Sequence, residues 1–208
     1  MRHLPQKVIC LAAALGAAAA WSAGAAAQSA GDAERGRQIF ETKQCARCHA
    51  ARESRGVGPP LETLRRAQGA YELAGRLWNH APAMMTVFST EGMRWPDVSA
   101  AEMADLMAYL GADATRDPKP DAQKGQRLLV SKNCLKCHSW QGEGARVAGD
   151  LAEHREDYAP AARWAATTWT HAPRIAAKAL ERGIPYPRFS DDEMTHLVAF
   201  LRSGSRAR

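Results

Sequence analysis

The chain has little of what most enzyme sites are built from. Its 208 residues include only 5 cysteines and 7 histidines. Outside two short motifs, no acid–base pair, substrate-site motif or separate metal motif is legible, so the chain is not expected to be an enzyme in its own right. It lacks any alternating apolar–polar stretch of useful length, which excludes a fold built on sheets. It also lacks an apolar run long enough to span a bilayer: residues 8–20 fall short of the roughly 20 residues a transmembrane helix needs. Disorder is not indicated either, because 46% of the residues are hydrophobic and 24% charged.

One motif is present, and it occurs twice. Residues 45–49 read C-A-R-C-H and residues 134–138 read C-L-K-C-H. Each is a C-x-x-C-H run, the attachment signature of a c-type haem. One turn of chain brings Cys45 and Cys48, or Cys134 and Cys137, near enough to bond the two vinyl groups of one porphyrin. The next residue, His49 or His138, then lies under the iron as its proximal ligand. Two copies predict two covalently bound c-type haems. Other readings explain less. Zinc knuckles usually lie closer together than the 85 residues between Cys48 and Cys134. A thioredoxin-like redox pair has no need of an adjacent histidine, twice. Two disulfides would account for the cysteines and leave the histidines unexplained.

Residues 1–27 read as a signal peptide. Arg2, His3 and Lys7 form a basic start, residues 8–20 an apolar stretch, and Ala25, Ala26 and Ala27 an A-x-A cleavage site before Gln28. Retention as an uncleaved anchor is the alternative. Cys10 lies in this leader, so the mature chain keeps two pairs of cysteines. The expected location is the periplasm, outside the bacterial cytoplasm, where c-haems are attached, with no membrane association after cleavage. The formal charge is +6 at pH 7. Beyond the leader, the second half carries all the positive excess. That favours acidic redox partner proteins over nucleic acid, which an exported protein does not meet.

The remainder is an internal repeat. Asp32-Ala33-Glu34-Arg35-Gly36 matches Asp121-Ala122-Gln123-Lys124-Gly125 at an offset of 89, which the two C-x-x-C-H runs keep. Trp78-Asn79-His80-Ala81-Pro82 matches Trp169-Thr170-His171-Ala172-Pro173, now at 91. Trp95-Pro96 matches Tyr186-Pro187, and Ser99 to Met103 matches Ser190 to Met194. The predicted organisation is a first domain over 28–110, a linker over 111–120 containing Pro118 and Pro120, and a second domain over 121–208.

Each repeat reads as all-α. Asp32 and Asp121 are N-cap residues for a helix running into the motif. Ser99-x-x-Glu102 and Ser190-x-x-Glu193 are capping boxes that open a final helix. Met103, Leu106, Met107 and Leu110 make one apolar face of it, and Met194, Leu197, Val198 and Leu201 make its counterpart. Gly36 and Gly125 would let that final helix approach closely, with Tyr109 or Phe200 packed nearby.

With these residues in view, each half resembles a class I cytochrome c domain, and the whole resembles a tandem dihaem cytochrome c. The resemblance implies two helical domains, each around one covalent haem, with the first and last helices crossing. It also implies that the carbonyl of Pro59, in Gly58-Pro59-Pro60-Leu61, accepts from His49 Nδ1–H. The second repeat has no proline in Val147-Ala148-Gly149-Asp150-Leu151, so the matching carbonyl is left open.

The sixth iron ligand departs from the family pattern. Where a distal Met followed by Pro is expected, this chain has Trp95-Pro96 and Tyr186-Pro187. His80 and His171 are the next candidates, each expected at a junction between helices because Pro follows two residues later. Met84 is the rival in the first repeat, with Met85 and Met93 nearby; its counterpart in the second is Ile175. His154 and His196 are weaker candidates there. Trp78 and Trp169 are expected in the core or against a haem, Trp95 and Tyr186 in packing or as donors to a propionate. Lys132 and Lys136 flank the second motif as a docking rim. The expected function is single-electron transfer between redox partners by an exported dihaem protein. The alternatives are the haem subunit of a periplasmic oxidoreductase, or a haem enzyme or sensor with one open iron site.

Overall fold

A computed structural model describes residues 31–50, 57–190 and 192–204. The expected leader over 1–27 lies outside the described residues. The first half contains helices α1 (Ala33–Thr42), α2 (Leu61–Leu64), α3 (Ala70–Thr90) and α4 (Ala100–Tyr109). The second contains α5 (Ala122–Ser131), α6 (Ala161–Glu181) and α7 (Glu193–Gly204). Among the described residues the protein is all-α apart from one hairpin of two-residue strands, β1 (Ser139–Trp140) and β2 (Glu143–Gly144). The hairpin turns at Gln141 and Gly142, both with positive φ, and the Asp150 carboxylate accepts from both their N–H groups. No strand periodicity foretold it, because two residues per strand are too few to show one.

The helix starts are written in the sequence. Asp32 accepts from the N–H groups of Glu34 and Arg35, and Asp121 from those of Gln123 and Lys124. Each satisfies amides that the first turn leaves without partners. Ser99 and Glu102 bond reciprocally, at 3.2 and 2.8 Å. In the second repeat Ser190 N–H donates to Glu193 at 2.7 Å.

The first and last helices of each repeat then meet at a glycine. A Cβ on Gly36 would stand 2.0 Å from the Asp105 carbonyl and 2.7 Å from Tyr109 Cβ. On Gly125 it would stand 2.0 Å from the His196 carbonyl and 2.7 Å from Phe200 Cβ. No side chain fits at either crossing, and Phe40 packs against Tyr109 one turn on, ring centres 5.6 Å apart. Lys43 ties the end of α1 to Glu102 at 2.9 Å, as Lys132 ties α5 to Glu193 at 2.7 Å. Lys132 is therefore a tie between helices.

The helix junctions expected at His80 and His171 are absent. α3 and α6 each run 21 residues straight through Pro82 and Pro173. A proline inside a helix leaves the carbonyl four residues back without its donor. Those carbonyls belong to Trp78 and Trp169, and the opposite half supplies the missing donors. Tyr186 Oη donates to Trp78 O at 3.3 Å, and Trp95 Nε1 donates to Trp169 O at 3.2 Å. The reverse bonds also form: Trp78 Nε1 to Pro187 O at 2.7 Å and Trp169 Nε1 to Pro96 O at 2.8 Å. The rings stack in the same pairs, Trp95 on Trp169 at 4.2 Å and Trp78 on Tyr186 at 4.8 Å. Asn79 adds a two-bond clamp on the backbone of Phe189.

The two repeats consequently share one continuous buried core, from Phe40 and Trp78 through Trp169 to Leu201. The linker is fastened down as well. Gln68 pairs with Ala112 in an isolated bridge, and the Asp117 carboxylate accepts from Ala70 and Tyr71 N–H at the start of α3.

Candidate haem sites

Each C-x-x-C-H run follows a residue in the left-handed region, Gln44 at φ 66° and Asn133 at φ 61°. That reversal turns the chain out of the preceding helix into a 3-10 turn, over Cys45–Arg47 and Cys134–Lys136. The cysteines of each run are not joined to one another. Burial pushes the Cys45 and Cys134 thiols up to about 11. The two C-x-x-C runs stay in their own halves, and the described residues include no group of three or more His, Cys, Asp or Glu that could hold a metal ion.

The histidine of each run is held from behind. His49 Nδ1 lies 3.0 Å from Pro59 O, and His138 Nδ1 lies 2.9 Å from Gly149 O. A nitrogen at that distance from a carbonyl carries the proton, which leaves Nε2 unprotonated and free to bind metal. Gly58 is required beside the first ring, since a Cβ there would come within 2.6 Å of it. Gly149 resolves the carbonyl that the second repeat had left open.

The first cavity has about 750 Å³ of empty space, counting its open mouth. Cys45 and His49 line one side. Phe40, Leu64, Leu73, Val98, Leu106 and Leu110 supply apolar walls, and His80, Met84 and Arg76 come from α3. Trp169 closes the cavity from the other repeat. A largely apolar cleft lined by the Cys45 thiol, the anchored His49 imidazole and a second imidazole fits a haem bound through Cys45 and Cys48. A wider open groove, of about 1080 Å³, lies outside α2 and α4. It holds neither cysteine nor histidine, and Arg65 and Arg66 there are committed to the Tyr109 carbonyl and Glu72.

The distal candidates share a geometry. His80 Nδ1 lies 2.7 Å from the carbonyl of Arg76, and His171 Nδ1 lies 2.6 Å from that of Thr167, each one turn back on its own helix. In the neutral tautomer that donates from Nδ1, each ring leaves Nε2 as its metal-binding nitrogen. In the second half, burial lowers the pKa of His138, against the opposing effect of its hydrogen bond to Gly149 O. His80 lines the cavity that His49 lines. Met84 shares that cavity because α3 continues through Pro82. His196 belongs elsewhere: it is buried, its Nδ1 accepts from Asp121 N–H at 3.0 Å, and it stands where Asp105 accepts from Asp32 N–H in the first repeat. His154 packs against Gly149 and pairs with Asp157.

The profile of the cytochrome c family matches residues 33–112 and again 122–205. The chain belongs to the cytochrome c family. Membership implies covalently bound c-type haem and an electron-transfer role. One curated relative is a nitric oxide reductase subunit from Halomonas halodenitrificans, 33% identical over 82 residues, which cover 37% of this chain and 54% of the relative. The match thus spans about half the length of that protein. No solved structure matches with comparable significance. Among the described residues, no helix is long and apolar enough to cross a membrane.

Sequence reasoning missed Arg76 in the first cavity and the buried Gln68 behind it, and it placed Trp169 in the core or against a haem without seeing that it serves the other repeat's cavity. The Arg76/Thr167 difference was legible, since both residues stand four before the repeated histidine. That role of Trp169 was not, because only the contact between halves carries it into the first site.

Proposed function

We propose that the chain is an exported dihaem c-type cytochrome that passes single electrons between partner proteins in the periplasm. A bound c-type haem supplies one electron of redox capacity through its iron. Cys45 and Cys48, and Cys134 and Cys137, hold the two groups, with His49 and His138 as proximal ligands. His80 and His171 are the distal ligands. The observation that carries this reading is the repeated pair of imidazoles, every one with Nδ1 held by a carbonyl and Nε2 left free. With both imidazoles bound, each iron would have no vacant position for a substrate. Acidic partner surfaces are expected from the positive excess of the second half, so transfer should slow as salt rises.

The test is carbon monoxide added to the fully reduced holoprotein. Two six-coordinate sites leave the spectrum unchanged. Binding at one site would replace this reading with that of a haem enzyme or sensor. The relative named as part of a reductase supports a second reading, in which this chain delivers electrons within a larger oxidoreductase. Copurification with a larger catalytic chain would favour it.

A further inference from the structure

The two sites are not electrically alike. Among the residues lining the first cavity, Arg76 is the formal cation and none is acidic. Its guanidinium is bonded to Gln68 Oε1. Gln68 is 1% exposed, and its amide nitrogen donates to Leu64 O at 3.2 Å and Leu110 O at 2.9 Å. With both N–H groups used on backbone carbonyls, the amide oxygen is turned toward Arg76 and holds it at the cavity wall. The second repeat has Thr167 and Ala159 at these two positions. Thr167 keeps the carbonyl that anchors His171 and brings no charge.

We infer that Arg76 sets the first redox site at a higher midpoint potential than the second, so that electrons entering the second half run to the first. The inference rests on the dihaem reading. Adding an electron to a site removes one positive charge from it. A fixed cation alongside therefore favours the reduced form, more strongly in an apolar cavity than in water. Arg76 is a positioning and charge-setting residue: it acts on the potential and takes no part as an iron ligand.

The test is a spectroelectrochemical titration of the full holoprotein and three variants. The wild type should titrate as two one-electron waves. Arg76→Gln should lower the upper wave and leave the lower one in place. Arg76→Lys, which keeps the charge, should hold the upper wave close to its wild-type position. Thr167→Arg should raise the lower wave and narrow the gap. The inference is overturned if Arg76→Gln leaves the upper wave unmoved, or shifts the lower one. It is also overturned if Arg76→Lys shifts the upper wave as far as Arg76→Gln, which would reduce Arg76 to packing. Should Arg76→Gln not fold, the Lys and Thr167→Arg variants decide. A holoprotein carrying one haem by mass would instead sink the dihaem reading itself, before any titration.

Discussion

At the scale of single residues, His80 and His171 differ from an ordinary core histidine in one respect: each spends Nδ1 on the carbonyl one turn back. His171→Ala should leave haem attachment intact and open one of the two irons to carbon monoxide. His80→Ala should open the other, and Met84→Leu should open neither. Low-spin spectra unchanged in the His variants, with loss of one in Met84→Leu, would hand the first site to Met84. Asp105 offers a second test, of stability. The hydrogen bond from Arg35 holds its carboxyl below the usual range, against the opposing effect of burial. A carboxylate lowered in the folded state contributes stability above its unfolded value of about 3.9 and loses it as pH falls through the folded value. Asp105→Asn should therefore flatten the acid limb of melting temperature against pH below about pH 4 and lower the plateau above it. An acid limb as steep as wild type would show that the pair contributes nothing. His196, where the second repeat has no such carboxylate, was legible as a histidine but not as a structural one. Its role depends on Asp121, 75 residues away in the chain.

At the scale of elements, local signals were read well and distant ones were not. Asp32, Asp121, Ser99 and the two crossing glycines act within a turn or against one partner helix, so sequence patterns reveal them. Pro82 and Pro173 pointed to helix ends because the donors that rescue Trp78 O and Trp169 O sit in the other repeat. Pattern reading along one chain segment does not see them. A double-mutant cycle separates the two effects. Tyr186→Phe alone strands the Trp78 carbonyl in a partly buried place and should cost about 1–2 kcal/mol in chemical denaturation. In a Pro82→Ala background the residue at 82 regains its N–H, so the same change should cost well under about 1 kcal/mol. Equal costs in both backgrounds would mean that Tyr186 contributes by stacking alone.

At the scale of the whole molecule, the repeat in the sequence becomes an approximate two-fold exchange between halves. Trp78 and Trp169 swap bonds with Pro187 and Pro96, and Trp169 walls a cavity whose cysteines lie in the other repeat. The two halves share one buried core, and Asp117, in the segment read as linker, caps α3. The fold class, the repeat and the two C-x-x-C-H runs were visible in the chain itself. The contact between repeats was not, since nothing in two similar segments says which faces meet. The central claim is that both runs carry a covalent haem. It is tested most directly by intact mass of the protein matured in a bacterial periplasm, after acid extraction, followed by mapping of the modified peptides. The account predicts two haem additions, one on the peptide holding Cys45 and Cys48 and one on that holding Cys134 and Cys137. A single addition, or bare thiols with bound zinc, would contradict it.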